Sequence, residues 1–311
     1  KELGTLVIWD MNPVTLQETE KALSSQGHHV ITQQVDITNL AAIQQAAEEL
    51  ERKNINIDIL VNNAGIVTGK YFSEHSHSEI DRTMAVNSSA PMHLAATFLT
   101  GMLNRKAGHI VNIASAAGLV SNPKMSVYVA SKWAITGWSD SLRLEMEELK
   151  TGVQITTVTP YYINTGMFDG VKSSIIPILD PVKAATKIIR GIERDKIYVR
   201  MPGIVYFLPF VKGILPTRWF DVIVGKWLGV DAYLYVPGAV DVFFDPTSEV
   251  IPYDLAFTNA REALAAILPT AQENGVAIAI ENVWNKFLLS PLEMRDFIDH
   301  FQSPWVGAYF D

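Results

Sequence analysis

The chain has no cysteine. That excludes a disulfide framework, a thiolate nucleophile and a zinc-thiolate centre, and it suits a reducing, cytoplasmic setting. Basic charge is scarce as well: 25 Lys and Arg stand against 33 Asp and Glu, for a formal net charge of -8. No run of the sequence clusters Lys and Arg as phosphate contacts require, so nucleic acid is not an expected partner. No apolar run is long enough to span a bilayer. The nearest approach, Met201 to Val230, is interrupted by Pro209, Lys212, Pro216 and Arg218. It reads as short helices over a substrate cleft, with peripheral membrane contact through 201–230 as the alternative. No signal peptide opens the chain, so the formal sequon Asn87-Ser88-Ser89 is read as unmodified.

What is present is an ordinary globular balance, 48% hydrophobic and 19% charged over 311 residues, enough for one large or two modest domains. From Leu6, short β-rich apolar runs alternate with helical periodicity. Leu6 to Trp9, Val30 to Val35, Ile57 to Val61, Gly108 to Ala114 and Val153 to Thr159 read as strands. Thr15 to Ser25, Leu40 to Lys53, Ser78 to Leu103 and Tyr128 to Lys150 read as helices, with Asp36 or Thr38 available to cap the second. This alternation predicts an α/β fold with a doubly wound parallel sheet. Such sheets bind ligands at the carboxyl ends of their strands, where Asp10, Asp36, Asn62, Ser115 and Pro160 fall. Near Gly229 the motifs change. Val230 to Val236, Val276 to Ile280 and Val306 to Phe310 continue as strands, with helices over Asn259 to Glu273 and Pro291 to Phe301.

Tyr128-Val129-Ala130-Ser131-Lys132 sets a phenol and an ammonium four residues apart, on one helix face. By itself that pair is common. Its company is not: Asn62-Asn63-Ala64-Gly65 after a buried strand, Asn87 in the next helix, Ser115 at a strand end, and Pro160 to Thr165 after a later strand. In this order the motifs resemble the short-chain dehydrogenase/reductase family over about residues 1–228. Trp9-Asp10 and the apolar tail are most similar to its branch acting on steroids, retinoids and other lipophilic alcohols.

The chemistry requires these residue types. An alcohol must lose a proton as hydride leaves its carbon, so a side chain serves as base and, in reverse, as acid. Free tyrosine titrates near about 10, and lowering it two to three units takes about 3–4 kcal/mol, what a cation about 4 Å away supplies at an effective dielectric of about 20. By the resemblance, Tyr128 is the acid/base, Lys132 lowers its pKa and holds the nicotinamide ribose, Ser115 bonds the developing alkoxide, and Asn87 supports a proton path. The same resemblance gives Asp10 the adenosine ribose, which prefers NAD over NADP through repulsion of a 2′-phosphate. Asp36 would contact adenine, Asn62, Ala64 and Gly65 would line the cofactor, and Thr165 would hold the nicotinamide carboxamide. Tyr161 stands where the family usually has glycine. The family also implies a homodimer through Ser78 to Leu103 and Tyr128 to Lys150.

Ahead of Leu6 the sequence holds only Lys1 to Thr5, with no glycine-rich turn to cradle a pyrophosphate. The expectation is an N-terminally truncated dehydrogenase-like domain with weakened NAD binding, since each charge-assisted hydrogen bond lost there costs about 1.5–3 kcal/mol. An apolar strand of the tail, Val230 to Val236 or Val276 to Ile280, is a candidate to insert beside Leu6 to Trp9.

The tail itself, about residues 229–311, resembles a partial TIM barrel of the sugar-phosphate isomerase/epimerase family. Val236-Pro237-Gly238-Ala239-Val240, Ala279-Ile280-Glu281-Asn282-Val283 and Ala308-Tyr309-Phe310-Asp311 carry the likeness. There the strand-end acids would bind a divalent metal. Glu281 and Asp311 are two of the usual four ligands, so solvated strand-end acids are the competing reading and no metal is assigned. Three functions stay open: NAD-dependent conversion of a lipophilic alcohol or ketone, metal-dependent sugar isomerisation, and a non-catalytic chimeric or truncated protein.

Overall fold

A computed structural model describes residues 4–167, 178–217, 220, 232–235, 237–241, 250–281 and 286–309. The chain forms two compact units, Lys1–Asp169 with Leu179–Phe207, and Gly170–Ile178 with Leu208–Asp311. The change of motif near Gly229 lies outside the described residues.

In the first unit, β1 (Leu6–Asp10), α1 (Pro13–Ser24), β2 (Val30–Gln34), α2 (Leu40–Arg52) and β3 (Ile59–Asn62) alternate as the sequence predicts. They are followed by α3 (His77–Met84), α4 (Ala90–Arg105), β4 (Gly108–Ile113), α5 (Ser126–Glu148), β5 (Val153–Pro160), α6 (Pro181–Ile192) and β6 (Tyr198–Met201). Every strand pair is parallel. Successive residues of a strand face opposite ways, and β4 shows the result. Ile110 packs with Met102 of α4 and Leu142 and Met146 of α5. Val111 packs with Ala184 of α6 and Val199 of β6. Helices therefore cover both faces, the Rossmann-like doubly wound arrangement.

Local chemistry fixes the helix ends. The Asn12 side chain accepts from the backbone of Val14 and Thr15 to start α1. Asn39 does the same for α2, correcting the expected Asp36 or Thr38. Asp36 is committed elsewhere, its carboxylate accepting from the Thr38 amide at 2.9 Å and hydroxyl at 2.7 Å. The helix expected over Ser78 to Leu103 is interrupted by a π-turn at Ala85–Ser89. Pro91 has no N–H to give the carbonyl four residues back, and the ladder widens until the Ala90 amide reaches the Ala85 carbonyl.

The first unit's strands lie in two sheets, β1-β2 and β3-β4-β5-β6. No strand of the tail joins either among the described residues, which overturns the expected insertion beside Leu6 to Trp9. A side-chain cluster links the two sheets instead: Val35, Ile43, Ala46 and Leu94, with Trp9, Leu60 and Phe98 packed against it.

In the second unit, α7 (Leu208–Ile214) precedes β7 (Ala232–Tyr235), α8 (Tyr253–Asn274), β8 (Ala277–Ile280), α9 (Pro291–Asp299) and β9 (Val306–Ala308). The three strands form their own parallel sheet in the order β7-β8-β9, a βα succession of TIM-barrel type. Its core is apolar: Leu264, Ile278, Ile280, Phe287 and Phe297 are all at most 1% exposed.

Candidate active site

The carboxyl ends of β4 and β5 and the first turns of α5 bring the predicted catalytic groups together. Ser115 follows β4 and caps a short 3-10 turn, its Oγ accepting from the Ala117 amide at 3.1 Å. The Ser115 side chain lies near enough to the Tyr128 phenol to act on its pKa. Lys132, one turn further along α5, has its ammonium 5.7 Å from the centre of the Tyr128 ring and donates to the Ile113 carbonyl at 2.9 Å. Gly118 makes this closeness possible. A Cβ there would meet the Lys132 carbonyl oxygen at 2.6 Å and Thr136 Oγ1 at 2.5 Å, so only glycine lets the Ser115 turn lie against α5.

The electrostatics follow from burial. Tyr128 and Lys132 are each 5% exposed. Lost hydration disfavours the charged form of each group: it pushes the lysine down to about 8 and the phenol above its ordinary value, against the lowering effect of the Ser115 side chain. The expected lowering of Tyr128 by Lys132 is thus not seen as the side chains stand. The ammonium is turned to the Ile113 carbonyl, and burial dominates.

Asn87 sits in the π-turn, buried. Its Oδ1 accepts from the Ile66 amide at 2.8 Å, and its Nδ2 donates to the Ile66 carbonyl at 2.9 Å and to Ser131 Oγ at 3.0 Å. It therefore ties the segment after β3 to α5. The Ser131 and Ile66 contacts escaped sequence reasoning, although Ser131 lies inside the quoted Tyr-to-Lys motif. A Cβ on Gly65 would stand 3.5 Å from Asn87 Oδ1 and 3.6 Å from Lys132 Nζ, so Gly65 lies directly over these two groups.

Asn62 ends β3. It is buried, with Nδ2 donating to Asn112 Oδ1 at 2.8 Å, and Asn112 donates on to Ser139 Oγ at 2.9 Å. Its own Oδ1 is buried without a partner. Ala64 is exposed. Asp10 is exposed at the end of β1, its carboxylate accepting from the Asn12 amide at 2.8 Å. Asp36 follows β2, held below its usual range by the two Thr38 hydrogen bonds. Thr165 is exposed, its amide donating to the Ile163 carbonyl at 2.8 Å.

Behind Tyr128 stand two further tyrosines. Tyr161 and Tyr162 meet edge to face, ring centres 4.6 Å apart. Burial, with the neighbouring phenols of Tyr161 and Tyr128, pushes Tyr162 up to about 12, and Asn122 donates to its hydroxyl at 3.4 Å. Asn122 is a neighbour that no spacing in the sequence reveals.

The second unit offers less. Glu281 follows β8, where its amide donates to the Tyr235 carbonyl at 3.1 Å. Asp311 lies outside the described residues. Among the described residues no three His, Asp or Glu side chains converge on a metal position.

The family model for short chain dehydrogenase matches residues 1–175. The chain belongs to this family. Mouse (Mus musculus) epidermal retinol dehydrogenase 2 is 34% identical over 234 residues, covering 73% of this chain and 75% of that protein. Human (Homo sapiens) estradiol 17-beta-dehydrogenase 11 is 34% identical over 222 residues, covering 71% and 74%. Among solved structures, a Burkholderia phymatum short-chain dehydrogenase in complex with NAD matches with a TM-score of 0.60 at 24% identity, over 71% of this chain and 85% of that one. A Sphingobium yanoikuyae short-chain dehydrogenase in complex with NADPH matches with a TM-score of 0.57 at 25% identity, over 71% and 83%. Residues 222–311 match a model described as xylose isomerase-like TIM barrel. The chain is thus of oxidoreductase lineage with a nicotinamide cofactor, followed by a segment of a second family. Groups whose chemistry suits such a cofactor are present, an ammonium at Lys132 that can donate to hydroxyls and a carboxylate at Asp10 that can accept from them.

Proposed function

We propose that the chain oxidises a lipophilic secondary alcohol, or reduces the matching ketone, with NAD(H). The observation that carries this is the placement of Ser115 beside the Tyr128 phenol and the buried Lys132 ammonium at the carboxyl end of β4. When bound, the nicotinamide accepts the hydride in oxidation and returns it in reduction. Tyr128 takes the alcohol proton on its phenolic oxygen, and Ser115 Oγ donates to the substrate oxygen as charge develops there. Lys132 turns from the Ile113 carbonyl to ribose hydroxyls and, being cationic below about pH 8, favours the phenolate. Asn87 holds the Ile66 segment and a proton path. Asp10 engages the adenosine ribose and disfavours a 2′-phosphate, Asp36 faces the adenine, Asn62, Ala64 and Gly65 wall the cofactor, and Thr165 holds the carboxamide.

The retinol and estradiol in the relatives' names, and the apolar rings of Tyr161 and Tyr162 beside Tyr128, support a bulky apolar substrate. Exposed Phe207, Phe210 and Ile214 support peripheral membrane contact as its source. Among the described residues no helix is long and apolar enough to cross a membrane. Exposed Leu103 on α4 and Leu144 on α5 support pairing of two copies through these helices, checked by sedimentation.

The test is calorimetry of NAD, NADH and NADPH with the purified protein, alongside assays of Tyr128→Phe and Lys132→Ala on a panel of lipophilic alcohols. NAD binding with Tyr128-dependent turnover is expected. Turnover indifferent to Tyr128→Phe would sink the proposal.

A further inference from the structure

Folding collects basic residues that the sequence spreads out. Lys183, Lys187, Arg190, Arg194 and Lys196 line one cavity of about 580 Å³. Gly191 brings its wall close to the sheet, since a Cβ there would meet Val199 at 2.2 Å. Among the described residues no carboxylate pairs with any of the five cations. Of the acids nearby in sequence, Asp180 accepts from the Lys183 amide at 2.8 Å, Asp195 faces His109 Nδ1 at 3.8 Å, and Glu193, beside Arg194, forms no ion pair among the described residues. Like charges three and four residues apart on a helix repel, so α6 carries this face at a cost to its own stability. In a chain of net charge -8 the concentration is local and of inverted sign.

We propose that this cavity binds a compact ligand bearing several phosphate groups. Guanidinium forks engage phosphate oxygens in pairs, and lysine ammoniums add mobile point charges, so two arginines and three lysines around one space suit clustered phosphates. The cavity's size fits a phosphorylated ring and not a duplex, which needs a long basic stripe. The site runs along α6 and ends away from the catalytic edge. Lys196 precedes β6, and because β6 runs parallel to β5 its start lies at the edge opposite the strand ends that carry Ser115. A soluble polyphosphate and a phosphorylated lipid headgroup present the same chemistry.

The experiment titrates inositol hexakisphosphate into the full chain by calorimetry, and floats the chain with phosphatidylcholine vesicles with and without phosphatidylinositol bisphosphate. Wild type is compared with K187E/R190E and with K21E/K53E, a charge reversal of exposed lysines elsewhere. Thermal melting and alcohol turnover check that the variants stay folded. The expected result is binding that weakens at least about tenfold in K187E/R190E and between 50 and 200 mM salt, while K21E/K53E stays near wild type. Flotation that soluble hexakisphosphate reverses assigns a lipid headgroup; binding of the soluble compound alone assigns a free ligand. No binding to either probe, or equal weakening by both double reversals, overturns the proposal.

Discussion

The two units are built by the same physics and differ in where their polar groups go. In the second, Phe297 packs edge to face against Phe257, Phe287 and Phe301, with ring centres 5.4, 6.0 and 5.7 Å away. Its strand-end Glu281 stands outside any cluster of acids and histidines among the described residues. In the first unit, Ser115, Tyr128, Lys132 and Asn87 reach a common locus from a strand end, a helix and a π-turn. Apolar packing makes a fold; convergence of buried, partnered polar groups makes a site. Each unit can be perturbed without touching the other's distinguishing feature.

The largest effect expected is on chemistry. Tyr128→Phe removes the proposed acid/base and is expected to lower turnover about 10²–10⁴-fold, whereas Glu281→Gln leaves it at wild-type level, both read by steady-state NADH formation. Next comes packing. Phe297→Ala, at a site with no exposure, costs about 3–5 kcal/mol in denaturant melts and spares turnover. A smaller loss is expected from Asn112→Ala, which strips Asn62 of its amide partner and costs about 1–3 kcal/mol. If turnover falls with Phe297→Ala as steeply as with Tyr128→Phe, the separation of roles breaks.

The finest test uses proton linkage. Lys132 titrates near 8 when folded and at its ordinary 10.5 when unfolded. Between these values the unfolded chain binds more protons, so the lysine's burial penalty is relieved and stability rises as pH climbs from about 8 to 10.5. Above about 10 the raised Tyr128 works oppositely, because the unfolded phenol gives up its proton first. Lys132→Met should flatten the rise in melting temperature from pH 8 to 10 relative to wild type.

Much of the first unit was legible because its strands are short apolar runs and the candidate residues sit in contiguous motifs. Tyr128, Lys132 and Ser115 were picked out that way, and the fold brings them close together. The α6–β6 pair was not foreseen. The fully buried residues of α6 are small, Ala184 and Gly191, with Ile188 and Ile192 only partly buried beside them, while Val182 and Ile189 are 72% and 55% exposed. Asp180-Pro181 was a usable start signal, a side-chain cap followed by proline at the first helical position. The basic cavity was equally hidden, because its five cations interleave with apolar residues along the sequence. The Asn62 to Asn112 contact was hidden for another reason: spacing places a residue at a strand end but does not say which neighbour its side chain meets.

The split between β1-β2 and β3-β4-β5-β6 has a consequence for strand pairing. Among the described residues one long edge of β1 and one of β3 carries no ladder, and Leu6, Ile59 and Val61 there are 42%, 52% and 47% exposed. An unprotected edge with apolar side chains is a template for any extended chain that meets it. An extended strand seated on either edge would complete a ladder there and cover these apolar side chains, and a lysine in place of Val61 would oppose it without touching the β4 side of the strand.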